Sequence, residues 1–327
     1  MTIKAPYWHP ASMSGFLLDW DGVLADTKLD FTEIRERYFG GRRVMLLEEA
    51  EKLPDSDRES FLNDLREIEI NGALRAAAVP GAFELLEWLE ASGIPFAVVS
   101  RNCMESIKLA ADRCGIKLPE QVFACDSSAH VKPHPLALVN AALSIGVEIN
   151  ECVFIGDFLY DMQGARSAGM RAALVERPEH TWQAWCDAEF ATLSDLVASL
   201  KTPVPMIPWE YGEIVAKKGE KWLTRVYDMT LTLPDSTSPT LDCWLLRAAA
   251  LGVGSISVPN DAVFGPEEWK HSPSFPISSM GKTLGESARE LLSPRYPLAR
   301  IVNDAEDGVK APKNSLDLMR FIERKIY

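Results

Sequence analysis

Between residues 16 and 200 the chain alternates short apolar runs with amphipathic stretches of helical length, and few architectures accommodate that rhythm. The runs are FLLDW (16–20), FAVVS (96–100), VFAC (122–125), CVFIGD (152–157) and AALV (172–175). Helical patterns lie between them at 81–91, 103–114, 135–145 and 159–168, with Pro80-Gly81 opening the first and Gly93 and Gly115 closing two. Strands apolar on both sides must be covered on both sides, and strands separated by helices pair parallel. The fold class expected is therefore α/β, a doubly wound parallel sheet that places ligands at the carboxyl ends of its strands.

Residues 28–78 interrupt the rhythm. They read as helices over 29–39, 44–52 and 57–70, with Gly40-Gly41-Arg42-Arg43 in a turn and no strand among them. A helical insertion after the first strand is expected, dividing the core into 1–27 and 79–200. The stretch 201–210, with three prolines, reads as a linker. Beyond it, 211–327 reads as a second domain of α+β character: a strand over 222–233, strands at 254–259 and 298–302, and helices at 241–251 and 313–324. Met280-Gly281-Lys282-Thr283 is read as a turn, since a phosphate-binding P-loop needs glycine at 276 and proline stands there.

Charge excludes some partners. The net charge is −13, yet residues 211–327 hold 15 basic and 15 acidic residues, so the first two thirds carry all of it. Such a surface repels nucleic acid, and an anionic substrate would need a metal ion or a few placed cations. No apolar run reaches bilayer-spanning length, and the N-terminal MTIKAPYWHP lacks the apolar core of a secretion signal, so a cytoplasmic protein without membrane partners is expected. The six cysteines form no CxxC pair and read as reduced core thiols.

Four features at predicted strand ends share one chemistry. Asp19 and Asp21 stand two residues apart before Gly22, so one carboxylate can attack while the other handles protons, and their like charges call for a cation nearby. Ser100 ends the second apolar run and can donate to a phosphoryl oxygen, with Asn102 as a substrate-binding candidate beside it; helix capping is the competing reading of Ser100. Lys132, between His130 and Pro133, can fix one charge in place. Asp157 and Asp161 lie one helical turn apart and can address one hard cation such as Mg²⁺.

The order and spacing of Asp19-x-Asp21-Gly, Ser100, Lys132 and Gly156-Asp157-x-x-x-Asp161 resemble the haloacid dehalogenase-like superfamily, in particular its phosphoglycolate-phosphatase-like branch. DGVLADT (21–27), KPHPLALVNAALSIGV (132–147) and RSAGMRAALV (166–175) fit as well, so the resemblance spans roughly 12–200. It implies a Mg²⁺-dependent phosphatase of a small phosphorylated metabolite. Asp19 would form an aspartyl phosphate, Asp21 would act as acid and base, and Ser100 and Lys132 would hold phosphoryl oxygens. Asp19, Asp21, Asp157 and Asp161 would hold the metal. Asp21 also argues for phosphate rather than carbon–halogen chemistry, because dehalogenases of this family lack it. The insertion 28–78 takes the place of the family's small cap, and Arg42 and Arg43 are candidates for substrate contact. A phosphoglucomutase-like transferase and a non-catalytic binding scaffold are the alternatives. For 211–327, homo-oligomerisation is the default expectation.

Overall fold

Gly15–Leu18 (β1), all four residues buried, forms the middle of a six-stranded sheet in the computed structural model, which describes residues 3–178, 181–234, 240–259, 262–305 and 307–326. The other strands are Phe96–Val99 (β4), Val122–Phe123 (β5), Cys152–Gly156 (β6), Arg171–Leu174 (β7) and Ala188–Glu189 (β8), after a small hairpin of Ala25–Asp26 (β2) and Ala77–Ala78 (β3). The sheet order is β5-β4-β1-β6-β7-β8, every pairing parallel. Register aligns Leu18 with Val98 on one side and Ile155 on the other, so Asp19, Ser100 and Asp157 leave the sheet together at its carboxyl edge.

Helices Ala82–Ser92 (α4), Met104–Cys114 (α5), Pro135–Ser144 (α6), Leu159–Ala168 (α7) and Leu193–Lys201 (α8) cover the sheet. Gly93 and Gly115 end α4 and α5 in the left-handed conformation, as the sequence implies. Leu17, Phe154, Met162 and Leu174 share one core. β8 adds a last strand beyond β7, and it escapes a pattern search because it has only two residues, Ala and Glu.

The insertion folds as Thr32–Phe39 (α1), Leu46–Ala50 (α2) and Asp55–Ala73 (α3) around its own cluster of Ile34, Phe39, Leu46, Phe61 and Leu65. The β2–β3 ladder pairs Ala25 with Ala78 and Asp26 with Ala77, zipping both of the insertion's connections together.

The chain divides into two compact units, residues 13–202 in one and the described residues up to Ser12 with those from Pro203 onward in the other. This corrects the placement of 1–12 in the first core. Trp8 and Met206 exchange backbone hydrogen bonds of 3.0 and 2.9 Å, and Trp8 is buried. The second unit contains Gly212–Lys218 (α9), Glu220–Tyr227 (α10), Thr230–Thr232 (β9), Leu241–Ala250 (α11), Ser255–Val258 (β10), Pro266–His271 (α12), Leu284–Leu292 (α13), Arg300–Asn303 (β11), Val309–Lys310 (β12) and Leu318–Ile326 (α14). It mixes helices and strands as expected, and its sheet β11-β10-β9-β12 is parallel throughout. The strand read over 222–233 is corrected: only 230–232 is extended. Trp222, Leu223, Val226 and Tyr227 are buried along α10, a helical spacing that buries Leu223 and defeats strict alternation. Gly281 turns with φ +81°, and Thr283 caps α13.

A fragment of residues 13–202 should therefore unfold in one cooperative transition. One spanning 1–204 leaves Trp8 without Met206 and should bind an apolar dye more strongly. Calorimetry and dye binding on the two fragments check this, and an unfolded 13–202 fragment would refute its independence.

Candidate active site

β1 and β6, apolar because they are buried on both faces, deliver their first polar residues to one spot. The carboxylates of Asp19, Asp157 and Asp161 offer oxygens that all lie within 4.8 Å of one another. The three residues are 8%, 5% and 2% exposed, so solvent does little to screen their repulsion. Lys132, buried on the loop before α6, places its Nζ 2.7 Å from Asp19 Oδ1 and 2.7 Å from Asp161 Oδ1, and 4.8 Å above the Phe154 ring. Burial alone would lower the lysine's pKa; the two carboxylates outweigh it and raise it. Asp19 is nonetheless pushed well up by burial and by Asp161, against the pull of Lys132. Asp157 is pushed up to about 7 by burial and Asp161, although Arg177 pairs with its Oδ2 at 2.6 Å.

Close approach explains two glycines. Gly22 has φ +78°, and a Cβ there would strike the Asp157 carboxylate; a Cβ on Gly156 would strike the side chain of Asp161. The turn at Gly22 is closed by Gly22 N–H donating to Ala25 O at 2.8 Å and Ala25 N–H donating to Trp20 O at 3.0 Å. It presents Asp21, whose Oδ1 accepts from the Thr27 amide at 2.9 Å and from the Thr27 hydroxyl. Burial raises the pKa of Asp21, and the Thr27 hydrogen bonds oppose the rise.

Asp19, Asp21, Asn102, Asp157 and Asp161 line one cavity of about 330 Å³, together with residues of α1, α2 and α3. Ser100 is buried at the end of β4, where its Oγ accepts from the Asn102 amide at 3.1 Å. Arg101, between them, spans the insertion and the core. It donates to Glu48 Oε1 and Oε2 at 2.8 and 2.7 Å and to the Lys132 carbonyl, with Tyr160 5.4 Å below its guanidinium. Glu69 of α3 accepts from the Cys103 amide at 2.8 Å.

The model of the haloacid dehalogenase-like hydrolases matches residues 13–169. This segment belongs to that family. N-acetylmuramic acid 6-phosphate phosphatase from Pseudomonas aeruginosa is 28% identical over 187 residues, covering 50% of this chain and 81% of that protein. Phosphoglycolate phosphatase from Xanthomonas campestris is 27% identical over 211 residues, covering 52% of this chain and 96% of that one. Among solved structures, a hydrolase from Pseudomonas syringae shares the fold at 19% identity with a TM-score of 0.51, covering 58% of this chain and 99% of its own.

The haloacid dehalogenase-like domain brings together most of the residues singled out in the sequence, and leaves two apart. Arg42 and Arg43 are exposed and are absent from the cavity wall; Arg42 Nε donates to Phe39 O, finishing α1. The glycines beside them serve a helix end rather than a ligand. Arg35, one face of α1 earlier, lines the cavity instead, as do Glu69, Arg101 and Arg177. Glu69 had a legible signal, since it follows Phe61 and Leu65 at four-residue spacing and so puts a carboxyl in an apolar stripe. Arg177 lies just past the carboxyl end of β7, where parallel sheets place ligand contacts. Asp161 turns out to cap α7, its Oδ2 accepting from the Phe158 amide at 3.0 Å.

Burial pushes the Glu69 carboxyl from its ordinary 4.5 up to about 7. The folded protein thus holds this proton more tightly than the unfolded chain, a stabilisation present below pH 4.5 and lost as pH rises toward 7. Glu69→Gln, which keeps an acceptor for Cys103, should gain up to about 3 kcal/mol over the wild type between pH 5 and 8. Urea denaturation at both pH values measures this; a gap independent of pH would refute it.

Proposed function

We propose that residues 13–202 form a Mg²⁺-dependent phosphatase of small phosphomonoesters that works through an aspartyl phosphate on Asp19. One observation carries the reading. Both close contacts of the Asp19 carboxylate, Lys132 Nζ and the Trp20 amide at 2.7 Å, fall on Oδ1, which leaves Oδ2 as the attacking oxygen. The two relatives named above are phosphatases, which supports the same chemistry.

In this reading Asp19 Oδ2 attacks phosphorus while Asp21, oriented by Thr27, gives its proton to the departing alcohol. Burial shifts its pKa upward, the direction that favours the protonated acid. Asp21 then takes a proton from the water that releases phosphate. Lys132 compensates charge beside the phosphoryl group, and Ser100 and Asn102 hydrogen-bond the phosphoryl oxygens; the Asn102 Nδ2 is buried without an acceptor among the described residues.

The donor set fits a hard divalent cation: Asp19, Asp157 and Asp161 bring three buried carboxylates against two cationic side chains, Lys132 and Arg177. Asp19 and Asp157 would hold it, with Asp161 and the Asp21 turn beside them, and it would neutralise charge on the phosphoryl oxygens. Residues 28–78 serve as the cap over the cavity, 13–27 and 79–202 as the catalytic core. Among the described residues no helix is long and apolar enough to cross a membrane.

Turnover of p-nitrophenyl phosphate should require Mg²⁺ and vanish after chelation. Asp19→Asn should lower kcat by at least about 10³-fold with its melting curve retained. Wild-type-like turnover in Asp19→Asn, or full activity in metal-free enzyme, would overturn the proposal.

A further inference from the structure

We propose that the phosphomonoester taken by this site has a leaving group with an apolar body and a second anionic group, and that Arg35 reads that anion. This deepens the phosphatase reading and rests on it.

The cavity has two characters. Its catalytic end is made of carboxylates and Asn102, while the insertion contributes Leu29, Phe31, Val44, Leu46 and Leu65 to the remainder. These five side chains offer no donors or acceptors to a polyol, whose hydroxyls would lose water against them without replacement. Phe158 adds to them. It lines the cavity, yet it is 43% exposed, braced edge-on by Tyr160 at 5.1 Å and Trp182 at 5.0 Å. An exposed aromatic held in place at a cavity is a ready surface for an alkyl or aryl body.

Charge then selects the remaining group. Besides the residues assigned to the phosphoryl end, the lining holds one further carboxyl, Glu69, and three guanidinium groups. Arg101 is engaged by Glu48 and Arg177 by Asp157. Arg35 differs: its Nε is buried and finds no acceptor among the described residues, and its guanidinium lies 5.5 Å from the Phe31 ring centre. A guanidinium Nε buried without an acceptor among the described residues is matched by a carboxylate or a second phosphate on the substrate. The other charged side chains of this lining are carboxylates or arginines already paired with one.

Kinetics of the full-length enzyme with 4-carboxyphenyl phosphate and phenyl phosphate test this, because the two share the aryl body and differ in the distal anion, with only a small difference in leaving-group acidity. The wild type should favour the carboxylated ester by at least about tenfold in kcat/KM, mainly through KM, and should use glycerol 2-phosphate less well than either. Arg35→Gln should bring the ratio of the two aryl esters close to one, and Arg35→Lys should restore part of it. Equal use of both esters by the wild type, preference for glycerol 2-phosphate, or equal losses on both in Arg35→Gln would overturn the proposal. Titration calorimetry with 4-carboxybenzylphosphonate and benzylphosphonate makes the same comparison without turnover. An enzyme that binds the carboxylated phosphonate through Arg35 but hydrolyses no ester refutes the phosphatase reading alone. Equal binding of the two phosphonates refutes the role of Arg35.

Discussion

The buried ammonium of Lys132, shared between Asp19 and Asp161, is what allows the acid-lined carboxyl edge of this sheet to exist. A parallel sheet whose central strands end side by side brings its first polar residues close together, and here those residues are acids. Without a cation among them, folding would require one or more to stay protonated. The lysine meets only part of the demand, as the upward shifts of Asp19 and Asp157 show. The residual negative charge is what makes the cluster a candidate cation site. Stability and chemistry therefore rest on the same imbalance.

Arg101 extends that logic outward. Its neighbours in sequence, Ser100 and Asn102, sit buried at the carboxyl end of β4, while its own side chain holds Glu48 of α2 and the carbonyl of Lys132. A single guanidinium thus references the helical insertion to the loop that carries Lys132. A displacement of α2 would be felt at Lys132 through one covalent fork, a shorter route than any chain of packed side chains.

What could be read from the sequence follows from where each constraint is local. The runs FAVV and CVFI announce strands because burial on both faces demands apolar residues at every position, and the acids at their ends stand out by contrast. The strand Ala188–Glu189 carries no such signature, since two residues cannot display a period. In 222–233 the alternation of Trp222, Thr224 and Val226 imitated a strand; Leu223, apolar on the wrong face, was the residue that contradicted it. Arg42 and Arg43 attracted attention through their glycines, whose left-handed backbone ends a helix. Arg35 has no local mark. The role proposed for it rests on an Nε that finds no acceptor among the described residues, which is a property of three-dimensional packing alone.

The short ladder of Ala25–Asp26 with Ala77–Ala78 has a further consequence. By joining the two ends of the insertion at one point, it makes the closure entropy of everything between them nearly independent of how long that segment is, because that entropy grows only with the logarithm of length. The sheet and its acids then impose no size on the insertion, only a fixed gap to bridge. A lineage could lengthen, shorten or replace residues 28–76 and alter what is recognised while the bond-breaking apparatus stays untouched. Selectivity and reactivity can thus change at different evolutionary rates within one compact unit.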